Sequence, residues 1–235
     1  MNYLIPPTPI PSLPIAGTTA LFPVRRIYCV GRNYAEHAQE MGHSGREAPF
    51  FFMKPADAVL PGNAEHPAAM PYPSLTANLH HEVELVVAIG KGGANIAVAD
   101  AASHIAAYAV GLDMTRRDLQ AEAKKQGRPW CIAKGFDHSA PIGPLVPAEQ
   151  VPGLGDAAIT LHVNGTLRQS GRISDMIYNL AETIAEISKA WALQPGDLIF
   201  TGTPAGVAAV QPGDTLLAQV EGLPALAVRI DPATP

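Results

Sequence analysis

The chain has 235 residues, 47% hydrophobic and 16% charged, enough for a full core in one large domain or two small ones. Its formal charge of −5, with no Lys/Arg-rich block, argues against nucleic acid as a partner. No apolar run approaches the roughly 18 to 20 residues of a spanning helix, so no membrane partner is expected.

Pro6, Pro7, Pro9, Pro11 and Pro14 break up the first twenty residues, which also lack a basic start. This stretch fails as a signal peptide and reads as an extended arm over residues 1–22, strand-like or packed on a neighbour. The default location is cytoplasmic, and residues 23–235 show no later composition shift, so they form a single domain. Predicted strands follow at 27–30, 50–53, 83–89, 106–112, 159–163, 198–201, 215–220 and 225–230. Cys29 and Cys131 have no Cys-x-x-Cys spacing and are expected to be core thiols in a reducing compartment. Three helices carry start signals: Asn33 with Glu36 before residues 34–41, Thr115 with Asp118 before 116–126, and Asn179 with Glu182 before a helix running to about Trp191. Asn164-Gly165 predicts a hairpin, and two Gln-Pro-Gly-Asp phrases, at 194–197 and 211–214, predict turns that feed strands. Many short strands with few helices indicate a β-rich α+β fold, a sandwich or roll rather than a doubly wound sheet.

The first chemical signal is Glu82 and Glu84, at the leading end of the apolar run 83–89. Residues two apart on a strand share a face, so both carboxylates sit side by side and partly out of water. That arrangement is unfavourable unless a cation joins them. Asp113 ends a second apolar run, and three oxygen donors from two strands suit Mg²⁺ or Mn²⁺ better than zinc. Three protein oxygens leave an octahedral ion free positions for a chelating 1,3-dicarbonyl or 2-oxo acid. Ordinary surface acids at an exposed strand end are the competing reading.

The other signals are weaker alone. His37 and Glu40, at i and i+3, can meet on one helix face and form a water-activating base, though a surface pair has the same spacing. Arg117 and Gln120 lie one turn apart, either near the acids or on a solvated helix face. Lys134 follows in Cys131-Ile132-Ala133-Lys134 and is either a cation for the site or an exposed lysine. In the turn Thr201-Gly202-Thr203-Pro204, hydroxyl and amide can hold a carboxylate, and a plain turn is an equal alternative. His80 and His81 do not form a zinc-protease motif, and His80 is expected to support rather than ligate.

Six phrases in order resemble the fumarylacetoacetate hydrolase family, especially its small acylpyruvate hydrolase branch. They are Gly31-Arg32-Asn33-Tyr34-Ala35-Glu36-His37, Phe52-Met53-Lys54-Pro55, His81-Glu82-Val83-Glu84-Leu85, the run from Leu112 to Gln120, Lys134-Gly135-Phe136-Asp137, and the run from Gly196 to Pro204. The resemblance implies a mixed β-sandwich roll, bound Mg²⁺ or Mn²⁺ and a homodimer. It implies Glu82, Glu84 and Asp113 as metal ligands, and His37 with Glu40 as the water-activating pair on a lid helix. Lys134, Arg117 and Gln120 match residues that contact substrate, and Thr203, beside Gly202, matches the carboxylate-binding threonine. The expected reaction is hydrolytic cleavage of an acylpyruvate, with fumarylpyruvate the best guess. Decarboxylation of oxaloacetate and isomerisation of a 2-hydroxymuconate-type diacid share the same metal chemistry, and a non-catalytic metal-stabilised module is a third reading. The far carboxylate of fumarylpyruvate needs a cation, for which Arg32, Arg46, Arg116 and Lys125 are candidates. Relatives often carry Gly-Val-Gly after the Thr-Pro turn, whereas this chain has Gly206-Val207-Ala208; a positive φ there would strain Ala208.

Overall fold

The computed structural model describes residues 2–34, 46–151 and 153–233. Its main sheet is mixed and runs in the order β4 (Phe51–Lys54), β3 (Arg26–Val30), β15 (Asp197–Phe200), β8 (Val83–Ile89), β9 (Ile105–Leu112), β11 (Ala140–Ile142) and β5 (Val59–Pro61); β12 (Val146–Pro147) also pairs with β9. A second sheet faces it, in the order β14 (Thr166–Arg172), β13 (Ala158–Val163), β17 (Thr215–Val220), β18 (Leu226–Asp231) and β6 (Ala68–Pro71). A short ribbon of β10 (Thr115–Arg116), β7 (Leu79–His80) and β16 (Ala209–Val210) closes one end. The described α-helices are α1 (Arg117–Lys125), α2 (Cys131–Lys134) and α3 (Leu180–Ala190), beside five short 3₁₀ segments. This is the β-rich α+β fold expected from the strand-rich sequence, in the mixed β-sandwich roll form that the family resemblance implies. Among the described residues no helix is long and apolar enough to cross a membrane.

Alternation along β8 explains why the site forms where it does. Every residue of this strand is buried. Val83 and Leu85 point into the core between the sheets with Ile159, Leu161 and Ile230, while Val87 and Ile89 meet Ile184 and Ile187 of α3. Val86 and Ala88 point the other way, against Ile27, Leu198 and Phe200. Glu84 and Glu82 extend this second row to the end of the strand. On β9 the row of Ala107 and Ala109 leads in the same way through Gly111, opposite Glu84, to Asp113. Burying each large apolar side chain is worth about 1.5–3 kcal/mol. A one-residue slip would exchange the two faces of β8, so the core fixes the register that aligns the carboxylates.

The Asn179 capping box forms as expected: Asn179 Oδ1 accepts from Glu182 N and Glu182 Oε2 accepts from Asn179 N, both at 3.0 Å. Asn179→Ala should lower stability by about 1 kcal/mol, read from a urea transition. The predicted cap on α1 does not form. Thr115 is drawn into β10 by pairing with His80, its hydroxyl donates to Asp113 O, and Asp118 accepts from Thr76 and the Ala77 and Leu119 amides. Asn164 and Gly165 turn the β13–β14 hairpin with φ of 50° and 76°. Both Gln-Pro-Gly-Asp phrases are turns, with Gly196 and Gly213 at φ 95° and 96°.

In the N-terminal region, β1 (Ser12–Pro14) and β2 (Leu21–Pro23) form a hairpin whose Leu13 is wholly buried, while Leu4 and Ile5 are exposed. Cys29 is a buried core thiol, but Cys131 is exposed, because it opens the one-turn helix α2 on the outer side. The expected helix over 34–41 lies outside the described residues beyond Tyr34, and with it His37 and Glu40. Asn33 is wholly buried, and its side chain donates to Tyr178 O and Thr201 O and accepts from Tyr178 N. It therefore joins the Thr-Gly-Thr-Pro turn to the α3 entry.

Candidate metal centre

The two strand ends bring Glu82, Glu84 and Asp113 together, with one carboxylate oxygen of each within 4.8 Å of the others. They are 6%, 1% and 1% exposed. Three cations meet them. Lys134 Nζ donates to Glu82 Oε2 at 2.8 Å and to Asp113 Oδ2 at 2.7 Å. Lys54 Nζ lies 2.8 Å from Asp113 Oδ1, off the hydrogen-bonding direction, and Arg117 Nη2 donates to Glu82 Oε1 at 2.5 Å. With all three carboxylates ionised, three negative charges face three positive ones, and a bound divalent ion would give the cluster a net charge of +2. That balance favours an anionic ligand.

Among the described residues no cation touches Glu84 directly, and its Oε2 accepts from Gly202 N at 2.6 Å. Burial, then Asp113 and Glu82, push its carboxyl well above the usual range. Lys134 holds its proton more tightly than usual: burial opposes the charge, but Asp113 and Glu82 outweigh it. All-oxygen donors, a buried carboxyl that favours the proton in the absence of a cation, and an Asp113 Oδ1 without a hydrogen bond together fit a hard divalent ion.

The surrounding groups hold this arrangement in place. Arg117 Nη1 donates to Gln120 Oε1 at 2.5 Å and Nε to His80 Nδ1 at 3.3 Å. Burial, then Arg117, lowers the His80 pKa to about 4. The ring is therefore neutral, with its Nε2 proton on Asn78 Oδ1 and its Nδ1 lone pair turned to Arg117. His80 thus supports Arg117. Arg117 donates one hydrogen bond each from Nε, Nη1 and Nη2, to His80, Gln120 and Glu82.

Gly202 has φ of 101°, and a Cβ there would come within 2.6 Å of Asn33 Cβ. Gly202→Ala should therefore cost more than about 1 kcal/mol and displace the amide that holds Glu84; a melting curve and a Mn²⁺ titration check both effects. The Thr203 hydroxyl donates to Val83 O at 2.8 Å, so its proton is already engaged. Ala208 is not among the positive-φ residues, and its carbonyl accepts from His81 N, so its loop carries none of the strain anticipated for it.

Arg32 stacks on Phe50 with 5.0 Å to the ring centroid, and its Nη2 lies 3.9 Å from Glu47. The other candidate cations are directed elsewhere. Arg46 pairs with Glu182, Lys125 is exposed, and Arg116 turns to the opposite side, where it stacks on Phe136 and donates to Ile132 O. A cleft of about 650 Å³ there is lined by Arg116, Phe136 and Asp137 but by none of the three acids, so its size does not mark the chemistry. Sequence reasoning missed two buried polar residues, Lys54 and Gln169. Lys54 was detectable, because it shares the strand face of Phe52 by alternation.

The fumarylacetoacetate (FAA) hydrolase C-terminal family matches residues 26–231. A crystal structure of fumarylpyruvate hydrolase from Pseudomonas aeruginosa, in complex with Mn²⁺ and pyruvate, is 54% identical with a TM-score of 0.96, covering 98% of this chain and 99% of that one. The mitochondrial oxaloacetate tautomerase of Rattus norvegicus is 42% identical over 88% of this chain and 92% of its own length. The mitochondrial oxaloacetate decarboxylase of Dictyostelium discoideum is 38% identical over 85% and 90% respectively.

Proposed function

The chain belongs to the fumarylacetoacetate hydrolase family, and on that premise we propose that it is a metal-dependent hydrolase cleaving a carbon–carbon bond of an acylpyruvate, with fumarylpyruvate as substrate. The observation that carries this reading is the buried carboxylate trio with Lys134 lying directly against two of its members. The 54% identity to a fumarylpyruvate hydrolase over nearly the whole chain supports the choice of substrate. Glu82, Glu84 and Asp113 would hold Mg²⁺ or Mn²⁺, which when bound would supply Lewis acidity.

The chain's own groups do the rest. His37, oriented by Glu40, takes a proton from water, whose hydroxyl adds to the acyl carbonyl carbon. The bond from that carbon to the pyruvyl methylene breaks, and its electron pair leaves on the pyruvate half as an enolate. Two of the three Lys134 protons are engaged with Glu82 and Asp113, and the third is available to the developing enolate oxygen. Return of the proton to carbon gives pyruvate, and the acyl half leaves as fumarate. The turn at Thr203 receives the pyruvyl carboxylate through backbone amide, since the hydroxyl proton is on Val83 O. Gln120 and Arg117 hold the Glu82 carboxylate in place, and Arg32 is assigned to the far carboxylate. The active form is proposed to be a homodimer, which sedimentation velocity would test.

The test is pyruvate release from fumarylpyruvate, with and without chelator. Release that ignores the chelator, or no release from any acylpyruvate, would count against the reading. The relatives named for oxaloacetate chemistry support a second reading, decarboxylation or isomerisation through the same metal. Decarboxylation needs no attacking water. If His37→Ala binds Mn²⁺ normally, loses acylpyruvate cleavage and keeps full oxaloacetate turnover, the two reactions are separated.

A further inference from the structure

The main sheet has a gap beside the metal centre. Strand β15 pairs with β8 only as far as Phe200 opposite Val86, and Thr201 then donates through N and Oγ1 to Leu85 O at 3.1 and 2.8 Å. Beyond that point the chain turns away at Gly202. The N–H and C=O of Val83 point into the vacated position, because on the other side the bond between β9 and this segment is Asp113 N to Glu82 O, at 2.9 Å. Val83 is the residue between two of the three metal-site carboxylates. Buried backbone groups require partners, and here side chains replace the missing strand.

Gln169 supplies most of them. It is the only buried residue of β14, at 0% exposure, in a strand whose Leu167 is 51% exposed. Its Oε1 accepts from Val83 N at 3.1 Å and from His81 Nδ1 at 2.8 Å. Its Nε2 donates to Thr203 Oγ1 at 2.8 Å and to Pro204 O at 2.9 Å. The amide orientation is fixed by chemistry, since Val83 N can only donate and Pro204 O can only accept. Thr203 Oγ1 in turn donates to Val83 O at 2.8 Å, closing a ring through Gln169, Val83 and Thr203. Both backbone groups of Val83 are therefore held by side chains from two remote segments.

We infer that Gln169 is a positioning residue of the metal centre: it fixes Val83, hence the relative placement of Glu82 and Glu84, and it aims the Thr203 hydroxyl. The inference rests on the proposal that these carboxylates bind a divalent ion. Groups that orient ligands from behind are worth about ten- to a hundredfold in metal affinity. A purely structural link between the two sheets would lower stability and leave that affinity unchanged.

The experiment is calorimetric titration of the metal-free protein with Mn²⁺, alongside a melting curve, for wild type and three variants. Gln169→Leu removes all four hydrogen bonds, and Thr203→Val replaces the hydroxyl by a methyl group and frees Val83 O. Thr203→Ser keeps the hydroxyl and is the conservative control. Gln169→Leu and Thr203→Val should each weaken Mn²⁺ binding by about tenfold or more, whereas Thr203→Ser should stay close to wild type. Wild-type affinity in Thr203→Val, or in a folded Gln169→Leu of lowered melting temperature, overturns the inference. If Gln169→Leu does not fold, Thr203→Val with its serine control decides. Failure of the wild type to bind Mn²⁺ would instead remove the metal centre itself, a result distinct from a wild type that binds and variants that match it.

Discussion

Glu84→Gln is expected to abolish both Mn²⁺ binding and turnover while leaving the metal-free protein at least as stable as wild type. Glutamine has the same shape, and its carbonyl can still accept from the Gly202 amide that lies 2.6 Å from Glu84 Oε2. What is lost is one of the three proposed anionic ligands. Lewis-acid assistance is worth several kcal/mol, and about 4 kcal/mol is about a thousandfold in rate, so activity should fall by at least that much.

The stability half of the expectation follows from the raised Glu84 carboxyl, which burial and the neighbouring Asp113 and Glu82 push up. A carboxyl whose folded pKa exceeds its unfolded value contributes fully below the unfolded value, and that contribution is lost as pH rises through the folded one. Metal-free wild type should therefore lose stability relative to Glu84→Gln as pH rises above about 4.3, the ordinary glutamate pKa. Adding Mn²⁺ should reverse the order, because only the wild type gains from binding in the folded state. Melting curves at several pH values, with and without Mn²⁺, supply the check. A variant that keeps turnover within tenfold of wild type, or binds Mn²⁺ as well, would remove Glu84 from the ligand set.

Much of this was legible locally. The period-two rule placed Glu82 and Glu84 on one face from four residues of sequence, and the β8 span was correct at both ends because both of its faces are buried. The register of Asp113 opposite them could be anticipated only as convergence of two apolar runs. What stayed hidden depends on tertiary crossings. Thr166–Arg172 reads as a polar, solvated hairpin arm, and nothing within it shows that Gln169 alone turns inward to a turn more than thirty residues away. Arg116 and Arg117 are chemically identical neighbours, and the β10–β7 pairing decides which one faces the acids. Thr115 illustrates a local signal overridden: a sound capping box loses to a two-residue strand pairing and to hydrogen bonds with Glu82 and Asp113.

Replacing Lys134 tests the division of labour between the ion and the chain. Lys134→Met keeps the length of the side chain on α2 and removes the ammonium that joins Glu82 to Asp113. Without metal, the two buried carboxylates lose their shared partner, and breaking a buried pair from one side costs about 3–5 kcal/mol. The sign with pH follows from the raised ammonium: its stabilisation is complete below about pH 10.4, the ordinary lysine value, and is lost only at more alkaline pH. The deficit should therefore be constant across neutral pH. Mn²⁺ should still bind, since the site has become one charge more negative and retains all three carboxylates, and its binding should recover part of the lost stability. Turnover should nevertheless fall by about a hundred- to a thousandfold, the usual effect of deleting a donor aimed at developing negative charge. This pattern, metal retained and chemistry lost, is the reverse of a simple structural defect and differs from Glu84→Gln, which loses both. Turnover close to wild type in the Mn²⁺-loaded variant would show that Lys134 only neutralises the acids, and the enolate charge would then need another partner in the cleft.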